Sequence, residues 1–322
     1  MKLKARSFFN RFILILPIIL LLANLAVHQL IPDKQKSVPN TGYYSVFIAF
    51  TLIYAILLFT PKVKEFVRAK ITYLAPLFSA VAAVLLVWDI ITLKMNLLIL
   101  PYFPGLAKII YSAFVQDWQV LGGSLLASLR LMSLGFVLGT LAGLATGILI
   151  GWSRRGNYWL GPVIKILGPI PATTWIPIAM TVFPSSFYAR VFLVVLAVWF
   201  PVTVLTSSGI ANVSNSYFEV AKTLGASKRY MIFHVAIPAA SPMIFLSLYA
   251  AIGTAFATLL GAEVVGAKSG LGWYIAWHSG WAEYAKVYGA LFVIAVMASV
   301  LIYVLFQAKD RMMVWQKGLI KW

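Results

Sequence analysis

Few side chains in this 322-residue chain are equipped for covalent chemistry, and their spacing excludes most of it. The three histidines, His28, His234 and His278, lie far apart with no H-x-x-x-H pair, so no metal site is expected. Cysteine is absent, which removes disulfides, thiolate metal ligands and a cysteine nucleophile. No G-x-x-x-x-G-K-[ST] loop occurs, so the chain does not itself cradle a nucleotide phosphate, and it has no triad or paired-carboxylate site. No catalytic residue is expected. The charge chemistry that remains sits in Arg130 and Glu263, because an ionisable group within an apolar run is costly and often marks a pathway. Pro171 and Trp175, from the stretch LGPIPATTWIP, join them as candidates to line a translocation pathway. The competing reading is that both charges sit at the outer interface and snorkel. Trp273, Tyr274, Trp277, Trp281 and Tyr284 read as an interfacial aromatic belt rather than a ligand cage.

The clearest recognition signal is a polar island, residues 211–242, ANVSNSYFEVAKTLGASKRYMIFHVAIPAASP. It reads as two short helices joined at a glycine. Ser216 and Glu219 have capping-box spacing for the first helix, and Gly225 can take the left-handed conformation that ends it. Ser227 can cap a second helix, which Pro238 is expected to stop. His234 reads as a packing or interface residue. Lys222, Lys228 and Arg229 stand against a single acid, which places the island on the cytoplasmic side. A folded helix pair facing the cytoplasm serves to touch another protein.

The elements that position these residues are membrane helices. Apolar residues make up 62% of the chain and charged ones 11%, against roughly 45–50% and 25% in soluble domains, so this is an integral membrane protein. In that setting the net charge of +18 does not argue for a nucleic-acid partner. Spans are expected at 12–31, 43–60, 71–93, 121–152, 158–182 (broken by Pro169, Pro171 and Pro177), 191–210, 243–260 and 285–306. Asp89, near the outer end of the third, is expected to reach the headgroups. Residues 94–118 contain an amphipathic stretch lying on the outer surface, 183–189 form a tight outer turn, and 261–284 a glycine-rich outer loop. With both termini inside, 18 Lys and Arg fall on inner segments and 7 (Lys34, Lys36, Lys94, Lys108, Arg190, Lys268, Lys286) on outer ones, which obeys the positive-inside rule. Along the fourth span Gly135, Gly139, Gly143, Gly147 and Gly151 repeat every four residues, a stripe for close helix packing within the subunit or against a second one.

The island resembles the hallmark of inner-membrane subunits of bacterial ATP-binding cassette (ABC) importers, EAA, three residues, G, nine residues, I-x-L-P. It reads here Glu219-Val220-Ala221, Gly225 and Val235-Ala236-Ile237-Pro238, with Val220, Val235 and Ile237 as conservative departures. LPYFPGLAKII, the glycine-striped helix, GPIPATTWIPIAM and GAEVVGAKSGLGWYI resemble the nitrate/sulfonate/taurine branch. The resemblance covers roughly residues 71–310. It implies an all-α fold of about eight spans, a six-helix type I ABC importer core preceded by two extra N-terminal helices. The implied division is 1–70 for the extra helices, 71–118 for the first core helix and outer segment, 119–310 for the ABC transmembrane domain with its coupling loop 216–238, and 311–322 for a basic cytoplasmic tail. Carried over residue by residue, Glu219, Ala221, Gly225 and Pro238 would couple to the ATPase. The implied partners are a cytoplasmic ABC ATPase dimer holding ATP and Mg (no cofactor is expected in this chain), a second permease copy or paralogue, and a periplasmic or lipid-anchored binding protein. Surrounding lipid completes the set, in a bacterial inner membrane with both termini cytoplasmic. The implied activity is import of a small solute, an anion such as sulfonate, nitrate or bicarbonate, by alternating access. An ion-coupled secondary transporter and a non-transport membrane scaffold are the alternatives.

Overall fold

A computed structural model describes residues 2–35, 38–60 and 65–315, with the backbone alone for 2–11 and 65–68. The expectations resting on Lys36, Lys62, Lys64 and most of the basic tail lie outside the described residues. Among the described residues every regular element is helical. Seven helices are long and apolar enough to cross a membrane, and a pair bent by 87°, Arg154–Leu167 with Ala172–Val182, makes an eighth if counted as one span. The chain divides into two compact units.

The first unit holds residues 1–121 and 277–290. It contains α1 (Lys2–Leu30), α2 (Thr41–Phe59), α3 (Glu65–Asp89) and α4 (Leu106–Ile110), with a π-helical turn Ile90–Lys94 after α3 and another, Tyr111–Gln116, after α4. α1 and α3 are pinned by polar contacts that an apolar bilayer makes valuable. Asn24 Nδ2 donates to the Ala82 carbonyl at 3.1 Å, and His28 Nδ1 lies 3.3 Å from Asp89 Oδ2. Lys94 Nζ donates to Asp33 at 2.6 Å and to the His28 carbonyl at 2.9 Å. Asp89 therefore does not reach the headgroups as expected. It is 1% exposed and also accepts the Leu106 N–H, because a lone carboxylate at this depth would be unpaired and costly. α3 packs on the N-terminal helices, so the compact unit continues past residue 70. A second ionic cluster joins Asp117, His278, Glu283 and Lys286.

The second unit holds residues 122–276 and 291–322. α5 (Trp118–Trp152) enters it and is followed by α6 (Arg154–Leu167), a 3-10 turn Ala172–Trp175 and α7 (Ile176–Val182). Then come α8 (Ser186–Ala211), α9 (Asn215–Thr223), α10 (Lys228–Tyr230) with a π-helical turn Met231–Ala236, α11 (Ile237–Val264), α12 (Leu271–Gly280) and α13 (Tyr284–Met312). The glycine stripe of α5 is occupied by α8 of the same chain. A Cβ on Gly139 would stand 2.7 Å from Val198 Cβ and 2.8 Å from the Val195 carbonyl oxygen. At Gly147 the neighbours are Thr206 Cβ at 2.7 Å and the Thr203 carbonyl at 2.9 Å. Backbones this close leave no room for any side chain, so four-residue spacing keeps one face of α5 bare over several turns.

Two expected loops, 183–189 and 261–284, are partly helical instead. α8 starts at Ser186, shortening the outer turn, and α11 runs on to Val264. The glycine-rich segment after it contains the ten-residue α12, begun from Gly270 at φ +123°. Tyr274 in that helix is fully buried and so is no part of an exposed aromatic belt, whereas Trp277 and Trp281 are exposed.

Candidate functional site

The island is built from the residues upward as a rigid elbow. α9 ends in a double-bonded Schellman turn, with Gly225 N–H donating to the Lys222 carbonyl at 2.9 Å and Ala226 N–H to the Ala221 carbonyl at 3.0 Å. Gly225 has φ +77°, the conformation this motif requires at that position and one that penalises any Cβ. Ser227 Oγ accepts the Tyr230 N–H at 3.3 Å and caps α10 as expected. The capping box does not form. α9 begins two residues early, after Ser214, whose Oγ lies 2.8 Å from Ser216 Oγ, and Glu219 stays exposed. Pro238 also does not stop the second helix. It sits in the first turn of α11, directly after a π-helical turn that carries the backbone past the missing N–H. Lys228–Val264 is consequently one segment of 37 residues, and the second island helix is the first turns of a span.

The elbow is seated from below and bare above. Phe218 packs edge-on to Trp152 at 5.5 Å, and Ile210, Ala236 and Ala240 form a buried cluster beneath it. Ala221 faces inward at 8% exposure, while Tyr217, Val220, Leu224 and Tyr230 are between 51% and 81% exposed. His234 stacks on Tyr230 with ring centroids 4.3 Å apart. These side chains line an open groove of about 770 Å³, beside the exposed Lys222, Lys228 and Arg229. The groove thus combines exposed apolar side chains with a cationic rim.

Of the pathway candidates, the structure brings Pro171 and Trp175 together and separates the others. Both line a cavity of about 340 Å³ between the broken segment, α8 and α11, together with Thr173, Trp199, Thr254 and Thr258. Its lining carries no charge. The sequence reading missed Thr254 and Thr258, whose i, i+4 spacing on one helix face was the available signal. Arg130 is exposed on α5 and lies outside that lining. Glu263 does not snorkel. It is 1% exposed and accepts Ser128 Oγ–H at 2.7 Å and the Gly272 N–H at 2.8 Å, while Ser128 Oγ accepts the Leu271 N–H at 2.8 Å. The carboxylate thus ties α5 and α11 to the first N–H groups of α12, where the helix dipole favours negative charge. No group of acids and histidines able to hold a metal occurs among the described residues.

Residues 135–312 match the family described as binding-protein-dependent transport system inner membrane component. An ABC transporter permease protein of Methanocaldococcus jannaschii is 28% identical over 244 residues, covering 74% of this chain and 91% of its own length. The nitrate import permease NrtB and the bicarbonate transport system permease CmpB, both of Synechococcus elongatus, are each 31% identical over 155 and 181 residues. Those matches cover 48% and 56% of this chain and only 56% and 62% of the cyanobacterial proteins. Among solved structures, an inward-facing form of the MetNI methionine ABC transporter shares the fold, with a TM-score of 0.50 and 18% identity over 61% of this chain and 95% of that one.

Proposed function

The chain belongs to the binding-protein-dependent transport system inner membrane components, and on that premise we propose that it is the permease subunit of an ATP-driven importer of a small oxyanion. The observation that carries this is the elbow at residues 215–238. It presents Tyr217, Val220, Leu224 and Tyr230 to solvent on a Schellman turn, with Glu219 and three basic residues around them. We place it on the cytoplasmic face, with both termini on that side of an inner membrane, by the distribution of Lys and Arg. Its partner is an ABC ATPase dimer that holds ATP and Mg, since this chain lacks a phosphate loop. The permease performs no chemistry of its own. α10 runs without interruption into α11, so a push on the elbow acts on a single segment of 37 residues, roughly 55 Å long as helix. Rigid-body motion of that lever is the step that alternates access.

Asp89 and Glu263, the acids an ion-coupled carrier would need, are both engaged in internal hydrogen bonds. The uncharged, hydroxyl-lined cavity around Pro171, Trp175, Thr254 and Thr258 suits brief passage rather than tight binding, with selectivity left to a periplasmic or lipid-anchored binding protein. The names of two relatives, NrtB and CmpB, support nitrate and bicarbonate as the first substrates to test. A second copy of the chain, or a paralogue, completes the permease pair. Co-purification with an ATPase chain encoded alongside tests the proposal. Retention is expected for the natural protein and loss for Glu219→Arg and Gly225→Pro; uptake that persists without any ATPase overturns it.

A further inference from the structure

The helix α6, RRGNYWLGPVIKIL, is a poor candidate for half of a span. Fourteen residues make about 21 Å of helix, it carries three cations and no acid, and it meets the segment Ala172–Val182 at 87°. The 3-10 turn and α7 beyond it supply about 18 Å of helix, joined to α6 through a turn closed by the Ile170 N–H on the Leu167 carbonyl at 3.1 Å.

At 100° per residue the surface of α6 resolves into three sectors. Gly156, Gly161 and Ile164 are buried against the protein. Next to them Arg154, Tyr158 and Lys165 form one exposed edge, and Trp159, Val163 and Ile166 form the other, with Arg155 between. Trp159 and Ile166 are 74% and 69% exposed. The helix is also fixed in place. Ser153 Oγ caps it by accepting the Gly156 N–H, and a Cβ at Gly156 would overlap the Leu149 carbonyl oxygen, so α6 folds back tightly on the end of α5. The Trp152 to Phe218 contact puts that end beside α9.

We propose that α6 lies in the plane of the membrane beside the coupling elbow, and that it binds anionic phospholipid headgroups. Trp159, Val163 and Ile166 enter the acyl region, and Arg154, Arg155 and Lys165 meet the phosphates with Tyr158 at the boundary. A face with an apolar edge, an aromatic boundary and three cations that form no ion pair among the described residues matches a lipid surface more closely than a protein groove. Leu167 and Gly168, at the far end of α6, line the cavity of about 340 Å³, so headgroups that hold α6 also hold one wall of that cavity. Only the assignment to the cytoplasmic leaflet rests on the function proposed above.

The test uses the full-length chain in phosphatidylcholine nanodiscs, with and without phosphatidylglycerol. The natural protein is expected to retain phosphatidylglycerol, and each of Arg154→Gln, Arg155→Gln and Lys165→Gln to weaken retention about fivefold. Arg154→Lys and Arg155→Lys, which keep the charge, are expected to leave it unchanged. Because the chain has no cysteine, a nitroxide on Val163→Cys reports depth without a background, and it is expected to collide with oxygen and not with a water-soluble nickel chelate. Equal retention by the glutamine variants overturns the proposal. So does a label reached by nickel, or one shielded from both reagents by a second protein. If the ATPase co-purifies while these results fail, only this inference falls; the reverse outcome removes the coupling role and leaves the lipid site.

Discussion

Gly225 shows how one residue can set the geometry of an exposed groove. Its φ of +77° and its N–H bond to the Lys222 carbonyl set the angle between α9 and α10. Gly225→Ala is expected to cost about 1 kcal/mol in thermal unfolding, and Gly225→Pro to lose the turn, because proline fixes φ near −65° and has no N–H. Glu263 is expected to behave as a structural tie. Glu263→Ala leaves the Ser128 hydroxyl and the Gly272 N–H without their acceptor, a loss of about 3 kcal/mol by unfolding in detergent, with a smaller loss for Glu263→Gln. Glu283, just outside the last span, gives a pH test. Partial burial pushes its carboxyl up, but hydrogen bonds from His278 and Lys286 and their charges outweigh this and hold it below the usual 4.5. A folded-state value below the unfolded one means that the contribution is present at neutral pH and fades as pH falls through the lowered value. Glu283→Gln is therefore expected to lower the melting temperature at pH 7 and to have no effect once the medium is acid enough to protonate the carboxyl in both states. Gly225 and Ser227 were legible in the sequence because turn and cap chemistry is local. Asp89 and Glu263 were not, since their partners His28 and Ser128 lie 61 and 135 residues away, and no spacing rule connects them.

At the scale of elements, the stripe on α5 was legible because strict four-residue spacing of glycine has few causes, although the sequence left its partner open. The structure supplies α8. The five positions are not equivalent. A Cβ at Gly135 would meet mainly the Val194 side chain, at 2.6 Å, with the Val191 carbonyl at an ordinary 3.5 Å. At Gly139 the Val195 carbonyl itself stands at 2.8 Å. Gly135→Ala is expected to destabilise by about 1–3 kcal/mol, and Val194→Gly to recover part of that in a double-mutant cycle. No change of the Val195 side chain is expected to rescue Gly139→Ala, since the obstacle there is backbone. Pro238 and α12 were misread for a common reason. In sequence proline and glycine signal breaks, whereas here a π-helical turn absorbs the first and a buried carboxylate at the helix start stabilises the second. The bent pair α6 and α7 matches the expected proline-broken span if counted as one, while its 87° bend was not legible because composition reports apolarity and not direction.

For the whole molecule, the number of candidate spans followed from composition, a quantity that needs no tertiary structure. The cavity lining did not, because it gathers Thr173, Trp199 and Thr258 from three separate elements. The central claim is that the elbow at 215–238 receives an ATPase. Leu224, 81% exposed at the tip of α9, is the place to test it. In a chain without cysteine, Leu224→Cys carries a single benzophenone maleimide. Photolysis of the complex with the co-expressed ATPase is expected to join the two chains, in a yield that changes when ATP is added. A label that reaches only lipid or another permease copy, or a crosslink to the ATPase indifferent to ATP, contradicts the claim.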